Sequence, residues 1–252
     1  MRICEFSNSV TTPSGYGVVS KHLLYRWAKK HEICQTAYYG QEGGAEFKGV
    51  WPFTNPIWIW PKCFHVWGRD ALELTVENWN PNIILSLMDL WPTQEGDGRS
   101  FLSKMKRPWV AYVPVDHEEP PVPLINLAAS AWKIVAMSKF GNNALKRHGL
   151  NCTLIPHGVD TKLYFPIDRK EARNRWNLAP ELFVVGHVGA NKGQRKDFPR
   201  MVQAFNLFLE QNPDARKDSR LYLHAWTEFP PEVHFNLRAL AQRFGLREQI
   251  LF

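Results

Sequence analysis

Apolar positions along the chain fall into short clusters rich in β-branched and aromatic residues, separated by segments long enough for a helix. Residues 2–7 read as a first strand, and a helix over about 16–30 follows, with Val19, Leu23, Leu24 and Trp27 on one face. Residues 33–39, 82–88, 109–113 and 133–137 read as further strands, then a helix over 139–148 and a strand over 152–155. Pro156 and Gly158 stop that strand, and the alternation resumes with a helix over 168–177, a strand at 183–188 and a helix at 198–209. A strand at 220–224, a helix at 232–244 and a last strand at 249–252 complete it. Strands alternating with helices predict α/β architecture with parallel, doubly wound sheets, whose sites lie beyond the carboxyl ends of the strands. The domain boundary is expected between 155 and 156.

Composition supports a soluble globular protein, with 252 residues, 44% apolar and 22% charged. Trp51, Trp58, Trp60 and Trp67 mix with Pro52, Pro56 and Pro61, so 51–67 reads as a packed loop or flap, equally a lid over a core or a stacking surface. No apolar run is long enough to span a bilayer and no signal peptide opens the chain, which places the expectation in the cytoplasm. Cys4, Cys34, Cys63 and Cys152 have no close pair and read as buried thiols, and no histidine spacing suits a metal. The net charge is +7, of which +2 falls in residues 1–160 and +5 in 161–252. An anionic ligand is implied in the second half, while no Lys/Arg run has the length of a nucleic-acid arm.

The strongest chemical signal is the stretch from Phe183 to Asp197. An unbroken apolar run fits a strand buried on both faces, breaks at Gly189 into a loop carrying Arg195 and Lys196, and re-enters a helix capped by Asp197 with Pro199 in its first turn. A strand, basic loop and helix in series can hold a phosphate, because loop N–H groups and the helix N-terminus point at one anion. A second such unit appears at Ser14-Gly15-Tyr16-Gly17, before the first helix. Asp89 and the run Asp116-His117-Glu118-Glu119 fall just beyond strand ends.

Taken together, Ser14 to Gly17, the turn Pro114 to Asp116, Ser138-Lys139-Phe140-Gly141, Ile155 to Asp160, and Val188-Gly189 followed by Arg195-Lys196 resemble the retaining glycosyltransferases of GT-B architecture, family four. The resemblance runs over essentially the whole chain. It implies two Rossmann-like domains, an acceptor-side domain over 1–155 and a nucleotide-sugar donor domain over 156–252. It also implies transfer of a hexosyl-type sugar from a UDP- or GDP-linked donor to an acceptor hydroxyl, with retention and no obligatory metal or other cofactor. In that frame Gly189, Asn191, Arg195 and Lys196 bind the donor, Ser14, Gly15, Tyr16 and Gly17 form the acceptor-side loop, and Asp116 and His117 act on the acceptor.

Two departures stand out. Ala190 occupies the place where many members carry an arginine, and the paired glutamates that such enzymes place later in the second domain have no counterpart before Phe252. The second domain is therefore expected to be incomplete: a fragment, a sheet completed by another chain or a homo-oligomer, or a short non-catalytic relative. The alternative function is a module that binds a nucleotide sugar or phosphate without turnover.

Overall fold

The computed structural model describes residues 1–47, 52–227 and 235–252, and divides the chain into two compact units, Met1–Val159 and Asp160–Phe252. In the first unit the elements run β1 (Arg2–Asn8), α1 (Gly15–Trp27), β2 (Glu32–Tyr39), β3 (Ala45–Phe47), β4 (Ile57–Pro61), α2 (Arg69–Trp79), β5 (Ile83–Leu87), β6 (Trp109–Val113), α3 (Val122–Ala129), β7 (Lys133–Ala136), α4 (Lys139–Arg147) and β8 (Cys152–Leu154). They form one eight-stranded sheet in the order β3-β4-β2-β1-β5-β6-β7-β8, parallel throughout except for the β3–β4 pair.

Strand β1 is buried from Ile3 to Asn8 because helices cover both faces of the sheet. On one face Cys4 and Phe6 pack with Leu72 and Val76 of α2 and with Ala144 and Leu145 of α4. On the other, Ile3 and Ile33 pack with Leu24 of α1. Leu24 and Leu72 are fully buried, each contributing roughly 1.5 to 3 kcal/mol relative to exposure. Because β2 lies on one side of β1 and β5 on the other, the winding reverses between β1 and β5. Ligands of doubly wound sheets bind at such a switch point.

The second unit contains α5 (Arg169–Arg175), β9 (Phe183–Val188), α6 (Phe198–Gln211), β10 (Ser219–His224), α7 (Leu237–Arg243) and β11 (Ile250–Leu251). Its parallel sheet has the order β11-β10-β9. Phe198, Val202, Phe205 and Leu209 of α6 join Leu237 and Ala241 of α7 over Leu221 and Leu223 of β10.

Several expectations are corrected. The 51–67 segment is not simply a packed loop, because Ile57–Pro61 forms β4. Ile57 and Ile59 point into the core while Trp58 and Trp60 stack on the opposite side, ring centroids 6.1 Å apart. Trp51 lies outside the described residues. Strand β9 is not buried on both faces: it has one strand neighbour among the described residues, and Phe183 and Val188 are 58% and 70% exposed. The units part after Val159, not at 155, because Tyr112 Oη donates to the Ile155 carbonyl at 2.7 Å and the His157 ring meets Tyr112 edge-on. Cys63 is exposed, unlike the other three cysteines, since it follows β4 in a surface loop. Helix α7 begins at Leu237 with Asn236 as its cap, and residues 232–234 of the helix expected there lie outside the described residues.

Candidate functional site

At the switch point of the first unit, Ser14 caps α1 by accepting from the Gly17 amide at 3.1 Å, and its hydroxyl accepts from Asn8 Nδ2 at 2.7 Å. This bond ties the helix start to the end of β1. A side chain at Gly17 would strike the carbonyls of Thr12 and Ser9, so glycine is required there by packing. Gly15 faces open space.

Tyr16 leaves the first turn of α1 and its hydroxyl donates to Asp89 Oδ2 at 3.1 Å, joining the β1 and β5 sides of the reversal. Burial raises the Tyr16 phenol well above its ordinary range, and the Asp89 charge and hydrogen bond, then Tyr38 and Asp116, add to the shift. The phenol therefore stays protonated and remains a donor. Asp116 follows β6, and its Oδ1 lies 2.7 Å from His117 Nδ1 with both side chains solvent-exposed. Two residues on, Glu119 lies 3.3 Å from His148. The first turn of α1 and the segments after β5 and β6 thus place Tyr16, Asp89, Asp116 and His117 at the carboxyl end of the central strands of the first sheet.

In the second unit, β9 leads into the loop 189–197. The Gly189 amide donates to the His224 carbonyl at 3.1 Å, extending the β9–β10 pairing by one residue. Asn191 is fully buried: its Nδ2 donates to the carbonyls of Trp226 (2.9 Å) and Phe235 (2.6 Å), and its Oδ1 accepts from the Phe235 amide at 3.2 Å. Its amide thus pins two neighbouring segments. Gly193 adopts φ 58°, ψ −163°, a conformation open essentially to glycine alone, and Gln194–Lys196 form a 3-10 turn. Asp197 caps α6 and pairs with Arg200 at 3.2 Å.

Among the described residues, Lys192, Arg195 and Lys196 have no carboxylate partner. Three cations without a carboxylate among the described residues thus stand on one loop at the start of a 14-residue helix. Such a loop can neutralise a diphosphate, with the helix N-terminus adding partial positive charge.

Two of these participants carry no role that the sequence alone assigns. Asp89 was visible only as an acid at a strand end, and its pairing with Tyr16 spans 73 residues. Lys192 was part of the loop but carried no role of its own.

Two Rossmann-like units, the first doubly wound and the second opening strand-loop-helix after β9, give the chain a GT-B-like fold. Solved structures bear this out. The Escherichia coli trehalose-6-phosphate protein bound with UDP-2-fluoro glucose superposes with a TM-score of 0.63 at 12% identity, covering 98% of this chain and 70% of that one. Anabaena Alr3699/HepE in complex with UDP and glucose gives 0.60 at 16% identity, over 100% and 68%. A putative UDP-N-acetylglucosamine 2-epimerase from Listeria monocytogenes gives 0.60 at 12% identity, over 100% and 68%. No protein-family model matches the chain, and no curated protein matches it in sequence.

Proposed function

We propose that the chain is a glycosyltransferase that moves a hexosyl-type sugar from a UDP- or GDP-linked donor to an acceptor hydroxyl, with retention of configuration. The observation that carries the reading is the trio Lys192, Arg195 and Lys196, which has no carboxylate partner among the described residues and stands on the loop between β9 and α6, in a fold shared with proteins solved bound to UDP or a UDP-sugar. As the bond from the anomeric carbon to the diphosphate oxygen breaks, negative charge grows on the leaving group. Preformed cations and helix-end N–H groups stabilise that charge more in the transition state than in the bound donor, which is what accelerates the step. Arg195 and Lys196 are the diphosphate ligands in this reading, with Gly189 allowing close approach and Asn191 holding the loop in shape. They supply the neutralising charge without an obligatory metal ion.

On the acceptor side, Asp116 with His117 orients the hydroxyl and takes up its proton, while Tyr16 and Asp89 line the reversal next to it. A module that binds without turnover is the second reading, and the epimerase neighbour adds a third chemistry on the same donor class. Incubating the chain with UDP- and GDP-sugars, with and without an acceptor panel, separates them. Acceptor-dependent release of UDP or GDP supports transfer. Binding without turnover supports the module, and sugar isomerisation without acceptor supports the epimerase.

A further inference from the structure

A cavity of about 610 Å³ lies wholly within the first unit, between the loop after β4 and the loop between β5 and β6. This is within the size range of small-molecule sites. Its apolar wall is built from Trp67, Trp91 and Phe101. Trp67 and Trp91 meet edge to face at 5.2 Å, and Trp67 is braced from behind by Tyr38 at 5.9 Å. Phe101 is 2% exposed, whereas Trp91 is 60% exposed, so the wall is anchored in the core at one end and open at the other.

The polar wall is Arg69, Glu95 and Lys104, joined by Asp97 at the rim. Glu95 bonds to both Arg69 and Lys104. Arg69 also pairs with Glu73 at 2.7 Å and Lys104 with Asp97 at 2.9 Å. The turn that carries the acids is itself fixed: the Glu95 amide donates to the Arg99 carbonyl, the Gly98 amide donates to the Glu95 carbonyl, and Gly98 sits at φ +76°.

Each cation here is already matched by carboxylates, in contrast to the loop 189–197. A phosphate would have to displace a carboxylate from Arg69 or Lys104 and leave that acid facing it, which like-charge repulsion opposes. What such a wall offers is fixed strong donors and acceptors with no net charge. The aromatic side offers ring faces with negative quadrupole potential, which attract the weakly positive C–H face of a pyranose. Trp91 begins a 3-10 turn two residues after Asp89, so one wall of the cavity continues the segment that carries the acceptor of the Tyr16 hydrogen bond.

We propose that this cavity binds a neutral, unphosphorylated saccharide, which under the transferase reading above is the acceptor or the part of it next to the reacting hydroxyl. The binding claim stands without that reading; only the word acceptor rests on it. The test is calorimetry and intrinsic tryptophan fluorescence on the full chain with glucose, galactose, maltose and lactose, and with glucose 6-phosphate as the charged probe. At least one neutral sugar is expected to bind with a Kd below about 10 mM, and glucose 6-phosphate more weakly than glucose. Trp91→Ala, at a position exposed enough to leave folding intact, is expected to weaken that binding at least about tenfold with UDP affinity unchanged, and Glu95→Gln to weaken it also. Absence of binding by all four sugars, tighter binding of glucose 6-phosphate, or unchanged affinity in Trp91→Ala would each overturn the proposal. A chain that binds the sugar but neither UDP nor GDP would remove the transferase reading and leave the cavity assignment standing.

Discussion

Arg195 and Lys196 share with Lys192 the lack of a carboxylate partner among the described residues, whereas Arg69, Lys104 and Arg200 each have one. A charge-assisted contact to a phosphate contributes roughly 1.5 to 3 kcal/mol. Changing both to Ala is therefore expected to weaken UDP or GDP binding at least about tenfold by calorimetry, and unchanged affinity would mean that the donor loop is elsewhere. Asp116 sits on the other unit, beyond β6. Asp116→Asn should lower transfer while nucleotide affinity stays nearly constant, and an equal loss of both would assign it a structural role instead. A third residue, Glu5, concerns stability. It is fully buried in β1, where desolvation pushes its carboxyl from an ordinary 4.5 up to about 8, against hydrogen bonds from Gln35 (2.6 Å) and Ser20. The folded state therefore keeps a proton that the unfolded chain has lost between those values. Stability is greatest below about pH 4.5 on this account and declines towards pH 8, with a slope of at most about 1.4 kcal/mol per pH unit. Glu5→Gln keeps an acceptor for Gln35 and removes the titration, so its urea midpoint should exceed that of the unmodified chain at pH 8.5 and lose the advantage near pH 4.5.

Between elements, the loop 189–197 keeps its shape through Asn191, whose side chain ties β9's exit to the segments at Trp226 and Phe235. Asn191→Ala leaves two part-buried carbonyls and an amide without these partners. It should destabilise the second unit by roughly 1 to 3 kcal/mol and weaken nucleotide binding through loss of loop order, as hydrogen exchange around Trp226 would report. Period and turn chemistry make most elements legible in sequence: β1 and β5 as apolar clusters, α4 from the Ser138 cap, α6 from its Asp-Phe-Pro start. Strand β4 is not legible, because Trp58 and Trp60 on its outer face are as apolar as Ile57 and Ile59 on its inner face, and alternation disappears. Strand β9 misleads for the complementary reason, since an apolar run reads the same whether its strand is central or at an edge. The same limit governs the site. A basic loop after a strand is a local pattern and can be read directly. The Tyr16–Asp89 bond and the cavity beside Trp91 depend on the winding order of the sheet, which brings together loops that no local pattern links.

At the scale of the whole chain, the residues proposed for donor and for acceptor lie on different compact units, and +5 of the net +7 falls in residues 161–252, the part that carries the proposed diphosphate ligands. No helix among the described residues is long and apolar enough to cross a membrane. The chain spans about 70% of the length of the solved proteins it superposes on, and among the described residues its second sheet ends on one side at β9, where Val185 and Val188 are 37% and 70% exposed. An edge of this kind is a template for another strand. Sedimentation should therefore show the chain associating with itself as its concentration rises, and Val185→Lys, which places a charge on that edge, should hold it monomeric. Association through folded chains alone also couples heat resistance to protein concentration. Two melting curves recorded a hundredfold apart in dilution would then differ for the unmodified chain and coincide for Val185→Lys.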